Sequence, residues 1–119
     1  MLTPEGYGLP PEILKQSTDF ACRYGVVFEQ YHNLNKLPKD VDVVYTTRWQ
    51  TTGTTKEDPN WIEKFKPFSV TSALMAKVSK PTGTVFMHDL PAVRGEDVDS
   101  EVLDGPPKYR LPTSTLQTF

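Results

Sequence analysis

The sequence predicts an α/β fold: a parallel sheet with flanking helices, incomplete at its edges. Two observations carry this. Short apolar runs at Val26-Val27-Phe28, Val41 to Tyr45 and Thr84 to His88 have strand length, and segments of helical period lie between them. Three such strands make a thin sheet. An all-parallel sheet wants both faces covered and its edges managed, which points to missing elements.

Taken in order, residues 1–9 read as a loop, because Pro4, Gly6, Gly8 and Pro10 break regular structure. Pro11 fits the first position of a helix whose Ile13, Leu14, Ser17, Phe20, Ala21 and Tyr24 share one face. Gly25 stands where a helix-terminating glycine belongs, and the strand 26–28 follows. Residues 30–40 are polar and broken by Asn and Pro, a loop or a frayed helix. The second strand, 41–45, is nearly all apolar, as a buried parallel strand tends to be.

Thr46 to Lys56 is polar and contains Thr-Thr-Gly-Thr-Thr. Asp58-Pro59 reads as an N-cap and first-turn pair, followed by a helix with Trp61, Ile62 and Phe65 on its apolar face and Lys66-Pro67 as its stop. Val70, Leu74 and Val78 give another short helix, ending before Pro81. The third strand is 84–88, and a short helix is expected near Ser100–Leu103, closed by Gly105-Pro106. The tail 107–119 has no period, is rich in Thr and Pro, and is expected to be poorly ordered.

Composition narrows the function classes. A chain of 119 residues is one domain and hardly two. Thirteen basic against fifteen acidic side chains leave a net charge of −2, with no basic stripe to recommend nucleic acid. Mean hydropathy is −0.46. No apolar run approaches membrane-span length, and the start lacks a signal peptide's basic and apolar regions, so a cytoplasmic protein is expected. One Cys excludes an intrachain disulfide and a multi-cysteine metal cage, and with two His far apart no metal site is expected. No cofactor motif is present. Eleven Pro imply many loops or an incomplete domain.

The chemistry-bearing stretch is Phe86-Met87-His88-Asp89-Leu90-Pro91-Ala92-Val93-Arg94-Gly95-Glu96-Asp97-Val98, a strand ending in a Pro-locked polar turn, with Glu101-Val102-Leu103-Asp104-Gly105-Pro106 after it. Ligands of parallel sheets bind at the carboxyl ends of strands, which is where Thr47 to Gly53 and His88 to Pro91 fall. Asp89 there is a binding carboxylate or a turn residue bonding its own backbone. His88 is part of a functional turn or simply a hydrogen-bonded strand end. Arg48 and Gln50 form a carboxylate clamp or belong to a plain surface loop. Arg94 reads as an ion-pair partner for Glu96, Asp97 or a neighbouring subunit. Cys22, Trp61 and Phe65 read as core.

The stretch 86–98 resembles the His-Cys-Leu-Pro signature of ornithine transcarbamylases and its Arg-Gly-Glu-Glu-Val continuation. Thr3-Pro4-Glu5-Gly6-Tyr7 resembles the loop after the second strand of those enzymes' amino-acid-binding domain, and Val41 to Tyr45 the strand leading into the substrate loop. In order and spacing, residues 2–106 resemble most of that domain in the aspartate/ornithine transcarbamylase family. The organisation expected is a partial domain over 1–106 with a divergent tail over 107–119, and the fold expected is Rossmann-like.

The resemblance implies carbamoyl transfer from carbamoyl phosphate to the amine of ornithine or a similar amino acid. His88, Asp89, Leu90 and Pro91 would form the catalytic turn, with a cis Leu90–Pro91 bond and backbone carbonyls directed at the carbamoyl group. Thr47, Arg48, Gln50, Thr51 and Thr52 would bind the amino acid. The ornithine branch's Asp-x-x-x-Ser-Met-Gly loop reads here Thr47-Arg48-Trp49-Gln50-Thr51-Thr52-Gly53, so only the Gly is unchanged. Thr47-Arg48-Trp49-Gln50 is closer to the Thr-Arg-Val-Gln segment of the aspartate branch, and the signature Cys is Asp89. The family's Ser-x-Arg-Thr-Arg phosphate-binding motif is not in the sequence, so a fragment or shortened product is expected, inactive alone. The family resemblance further implies a homotrimer for a full-length enzyme. The alternatives are an aspartate-type transferase and a non-catalytic truncated paralogue acting as a binding or interaction module.

Overall fold

A computed structural model describes residues 1–50 and 55–104. They form two compact units, residues 1–36 and a second unit that begins at Leu37. The expected tail, 107–119, lies outside the described residues.

The first unit is built on α1, Pro11–Tyr24. Proline at its start leaves no orphaned donor, and Gly25 ends it at φ 65°, a left-handed conformation that costs an L side chain more than glycine. The Val26 amide turns back to Ala21 O at 3.0 Å, closing the last turn. Residues 1–9 are irregular but stitched to residues 29–32: Tyr31 N–H donates to Met1 O at 2.9 Å, Thr3 N–H to Tyr31 O at 3.1 Å, and Leu9 N–H to Gln30 Oε1 at 3.0 Å.

Two expectations fail in this unit. Val26-Val27-Phe28 is not a strand; the parallel bridge forms instead between Leu2 and Tyr31. Strand-like composition does not make a strand without a pairing partner, and Val27 stays 84% exposed. Cys22 is exposed, not core. Only Ala21 is buried on α1, while Ile13, Phe20 and Tyr24 of its apolar face are exposed, so the face has no core for Cys22 to enter.

The second unit carries two parallel strands, β1 (Val43–Thr46) and β2 (Val85–His88), in the register Val43↔Val85 to Thr46↔His88. Between them in sequence come α2 (Trp61–Phe65) and α3 (Ser72–Val78), and α4 (Ser100–Leu103) follows β2. The sheet is therefore parallel with flanking helices, as expected, but two strands wide among the described residues. The start of the expected second strand is diverted: Val41 bridges to Ser79, and Thr84, 1% exposed, donates its hydroxyl to Val41 O at 2.7 Å.

Alternation along the strands divides the sheet. Phe86 joins Val70, Met75, Val98 and Val102 in the core, with Val44, Leu74, Ala92 and Leu103 packed around it. Val43 and Tyr45, offset by one position, remain exposed. The core is held at its rim by Val70, whose N–H donates to Asp97 O at 3.1 Å and whose carbonyl accepts Asp99 N–H at 3.0 Å.

Helix boundaries refine the sequence reading. Asp58 does not cap α2; its carboxylate accepts Asn60 N–H at 2.9 Å, forming the turn from which the helix starts two residues later at Trp61. A single 3₁₀ turn, Lys66–Phe68, follows. Thr71 caps α3 by accepting Leu74 N–H at 3.1 Å.

Candidate active-site mouth

The register Thr46↔His88 puts Thr47 and Asp89 side by side, one residue beyond the ends of β1 and β2. Thr47 Oγ1 donates to Asp89 Oδ2 at 2.9 Å. This bond joins the two loops that the sequence assigns to the site. The other carboxylate oxygen, Oδ1, is buried and has no hydrogen-bond partner, although the side chain as a whole is 39% exposed.

His88 turns inward, its side chain fully buried. Leu90 N–H donates to His88 Nδ1 at 2.8 Å, so Nδ1 is an acceptor and the ring proton resides on Nε2. Nε2 lies 3.2 Å from Asp97 Oδ1 and donates to it. Asp97 also accepts Val93 N–H at 3.2 Å on both oxygens. Burial pushes the Asp97 carboxyl above its ordinary value, opposed by the Val93 N–H, by His88 and by the charge of Arg48. Within this bracket Leu90 has φ 52° and the Leu90–Pro91 bond is cis, as the sequence led one to expect.

The turn 93–98 is closed by Glu96 N–H to Val93 O at 3.1 Å and Gly95 N–H to Val98 O at 2.9 Å. Gly95 sits at φ 82°, a conformation a side chain would strain. Arg94 pairs through both terminal nitrogens with Asp104, Nη2 to Oδ1 at 2.8 Å, and not with Glu96 or Asp97 as expected. Asp97 is not available to it, being drawn inside by His88 and the Val93 N–H. Leu90, Pro91, Ala92, Arg94 and Leu103 line an open groove of about 520 Å³.

On the β1 side, Arg48 and Gln50 are half-buried and flank Trp49, which is 9% exposed. The Trp49 ring lies 5.6 Å from that of Phe65. Thr51 and Thr52, also assigned to the site by sequence, lie outside the described residues. The structure thus brings together Thr47, His88, Asp89 and Leu90, and through its charge Arg48 bears on Asp97. Sequence reasoning missed Asp97 as the partner of His88 and read Phe65 only as core. The usable signal was a short acidic side chain nine residues beyond a strand-end His, after a turn long enough to fold back. Among the described residues no three His, Cys, Asp or Glu side chains gather as a metal site needs, and no helix is long and apolar enough to cross a membrane.

Residues 1–111 match the model of the family described as aspartate/ornithine carbamoyltransferase, Asp/Orn binding domain. The chain is 40% identical over 104 residues to an ornithine carbamoyltransferase of Thermococcus kodakarensis, covering 87% of this chain and 32% of that one. Its structure is similar to the ornithine carbamoyltransferase from Pyrococcus furiosus, at a TM-score of 0.75 and 39% identity, covering 88% of this chain and 33% of that one. It is also similar to the catalytic subunit of the M. jannaschii aspartate transcarbamoylase, at a TM-score of 0.64 and 28% identity, over 91% of this chain and 33% of that one. The chain spans about a third of the length of the relatives it matches.

Proposed function

The chain belongs to the aspartate/ornithine carbamoyltransferase family through its Asp/Orn-binding domain, and on that premise we propose that it supplies the amino-acid-binding side of an ornithine carbamoyltransferase. The observation that carries the proposal is the Thr47–Asp89 hydrogen bond, which fixes a part-exposed carboxylate at the mouth of two parallel strands. A carboxylate held there is an acceptor for a substrate ammonium.

In the reaction, the amine nitrogen attacks the carbonyl carbon of carbamoyl phosphate. A C–N bond forms, the C–O bond to phosphate breaks, and phosphate leaves with the electron pair and takes up the proton that the amine gives up. The residues of this chain act on the amine side. Asp89 receives and orients the amine, Thr47 fixes Asp89, and Arg48 and Gln50 hold the substrate carboxylate, with Thr51 and Thr52 completing the amino-acid subsite. The turn His88 to Pro91 presents backbone carbonyls to the carbamoyl NH₂. His88 contributes by holding the Leu90 amide, since both its ring nitrogens are engaged. Carbamoyl phosphate's negative charge needs fixed positive donors, and the family's motif for them is not in these 119 residues. The proposal therefore includes a partner portion that carries it, a trimeric full enzyme and a cytoplasmic setting.

Asp89 also separates the two amino-acid branches. A substrate with a second carboxylate at this mouth would meet a like charge, which disfavours aspartate and favours an amine. Calorimetric titration of the chain with L-ornithine, L-aspartate and L-norvaline tests the reading. Binding of ornithine ahead of the other two is expected. Binding of aspartate ahead of ornithine, or of none of the three, overturns it.

A further inference from the structure

Arg48 is held from both sides along the chain. Before it, Thr47 is bonded to Asp89 at 2.9 Å. After it, Trp49 is buried with its ring 5.6 Å from Phe65, the rings tilted by 43°. Phe65 in turn meets Trp61 edge-on at 5.9 Å. Lys56 sets its ammonium 5.2 Å from the Phe65 centroid and 5.6 Å from that of Trp61. Trp49 and Lys56, on either side of residues 51–54, therefore converge on one ring.

The helix bearing that ring has five residues, too short to persist by its own hydrogen bonds. Its Trp61 and Phe65 are one turn apart, the spacing at which side chains on one face meet. Helix α2 has no buried residue and contributes none to the core around Phe86. A helix that adds nothing to the core but carries an aromatic pair against Trp49 acts on the β1 loop.

We propose that Phe65 is a positioning residue for the amino-acid site: through Trp49 it fixes the backbone of Arg48 and Gln50 beside the Thr47–Asp89 pair. The inference rests on the amino-acid-binding reading above. The electrostatic influence of Arg48 on buried Asp97 agrees with it, since that charge is felt at the inner side of the same mouth. Small displacements of groups that clamp a substrate are costly, about a hundredfold for ~1 Å in reacting systems. Loosening the anchor is therefore expected to weaken ornithine binding without dissolving the core.

The test uses the full chain with three substitutions, Phe65→Leu, Phe65→Tyr and Trp49→Leu. Backbone order parameters of Arg48 and Gln50 are measured by NMR, with Phe86 and Met75 as core controls, and ornithine affinity by calorimetry. In Phe65→Leu and Trp49→Leu, the order parameters at 48 and 50 should fall toward about 0.6, the flexible range. Ornithine affinity should drop about tenfold or more while the core is unchanged. Phe65→Tyr, which keeps the ring, should restore both. Unchanged order and affinity in either folded Leu variant overturns the anchor and leaves the amino-acid site standing. Loss of core order in both Leu variants also overturns it, by making the cluster structural. If the unmodified chain takes up no ornithine, the parent reading fails, and with it the positioning role, whatever the order parameters do.

Discussion

His88 Nε2 lies 3.2 Å from Asp97 Oδ1, with both side chains withdrawn from solvent, so the turn between them is braced from inside. The brace has three main-chain consequences: the Leu90 amide is tied to one end, the Val93 amide to the other, and the 93–98 turn is aligned with Val70. Replacing Asp97 by Ala leaves the buried His88 Nε2–H and the part-buried Val93 N–H without acceptors. The buried one costs about 1–3 kcal/mol and the part-buried one adds less. Chemical denaturation should show a large loss of stability for Asp97→Ala, and a change below about 0.5 kcal/mol would show that the brace is slack.

The same carboxyl sets a pH dependence of known sign. Burial raises the folded-state pKa of Asp97 above its ordinary 3.8, so the native state holds that proton more tightly than the unfolded chain does. The stabilising contribution is complete below 3.8 and is lost as pH rises through the raised value. The stability of the chain minus that of Asp97→Asn should therefore fall as pH increases across this window and flatten above it. A difference that grows with pH over that range would contradict the direction assigned to Asp97.

Phe86 is fully buried at the centre of a small core. Phe86→Ala should cost about 3–5 kcal/mol, the usual loss for a large aromatic in a packed interior. In a unit of this size the circular dichroism contribution of α2, α3 and α4 should disappear with it. Retention of a cooperative melt within a few degrees of the parent would mean that Val70, Met75, Val98 and Val102 close the gap.

Thr71→Ala removes the hydroxyl that accepts Leu74 N–H and should cost about 1 kcal/mol, measured as a shift in the denaturation midpoint. Thr71→Ser keeps the acceptor and should recover most of it. Equal losses in the two variants would assign the effect to the methyl group.

On the proposed function, the 119-residue chain alone should form no citrulline from ornithine and carbamoyl phosphate. Each missing donor to a developing phosphate charge commonly costs about a hundredfold or more, and the family's whole phosphate motif is absent from the sequence. Product above the level of a sample carrying Arg48→Ala and Asp89→Ala together would overturn this.

What the sequence made legible follows the range of the interactions involved. Helix α1 was readable at both ends because Pro11 and Gly25 act locally. The meeting of Thr47 and Asp89 was readable because two parallel strands with loops at their carboxyl ends leave few alternatives. The strand at 26–28 was misread because pairing is non-local: the residues that pair in that unit are Leu2 and Tyr31. Cys22 was misread because a helical stripe says which side chains share a face, not whether anything covers it. Asp97 was missed because its nine-residue spacing from His88 is a weak signal until the path of the turn is known, and composition does not encode that path.

The bare side of β1, where Val43 and Tyr45 stand 48% and 59% exposed, also governs how the chain behaves in a tube. Apolar surface on a short, open-edged sheet associates with its like, and the attraction grows with concentration while a net charge of −2 offers little repulsion. Light scattering should rise with protein concentration and with sulfate, and Tyr45→Lys, which puts a charge on that side, should extend the range over which the sample stays clear.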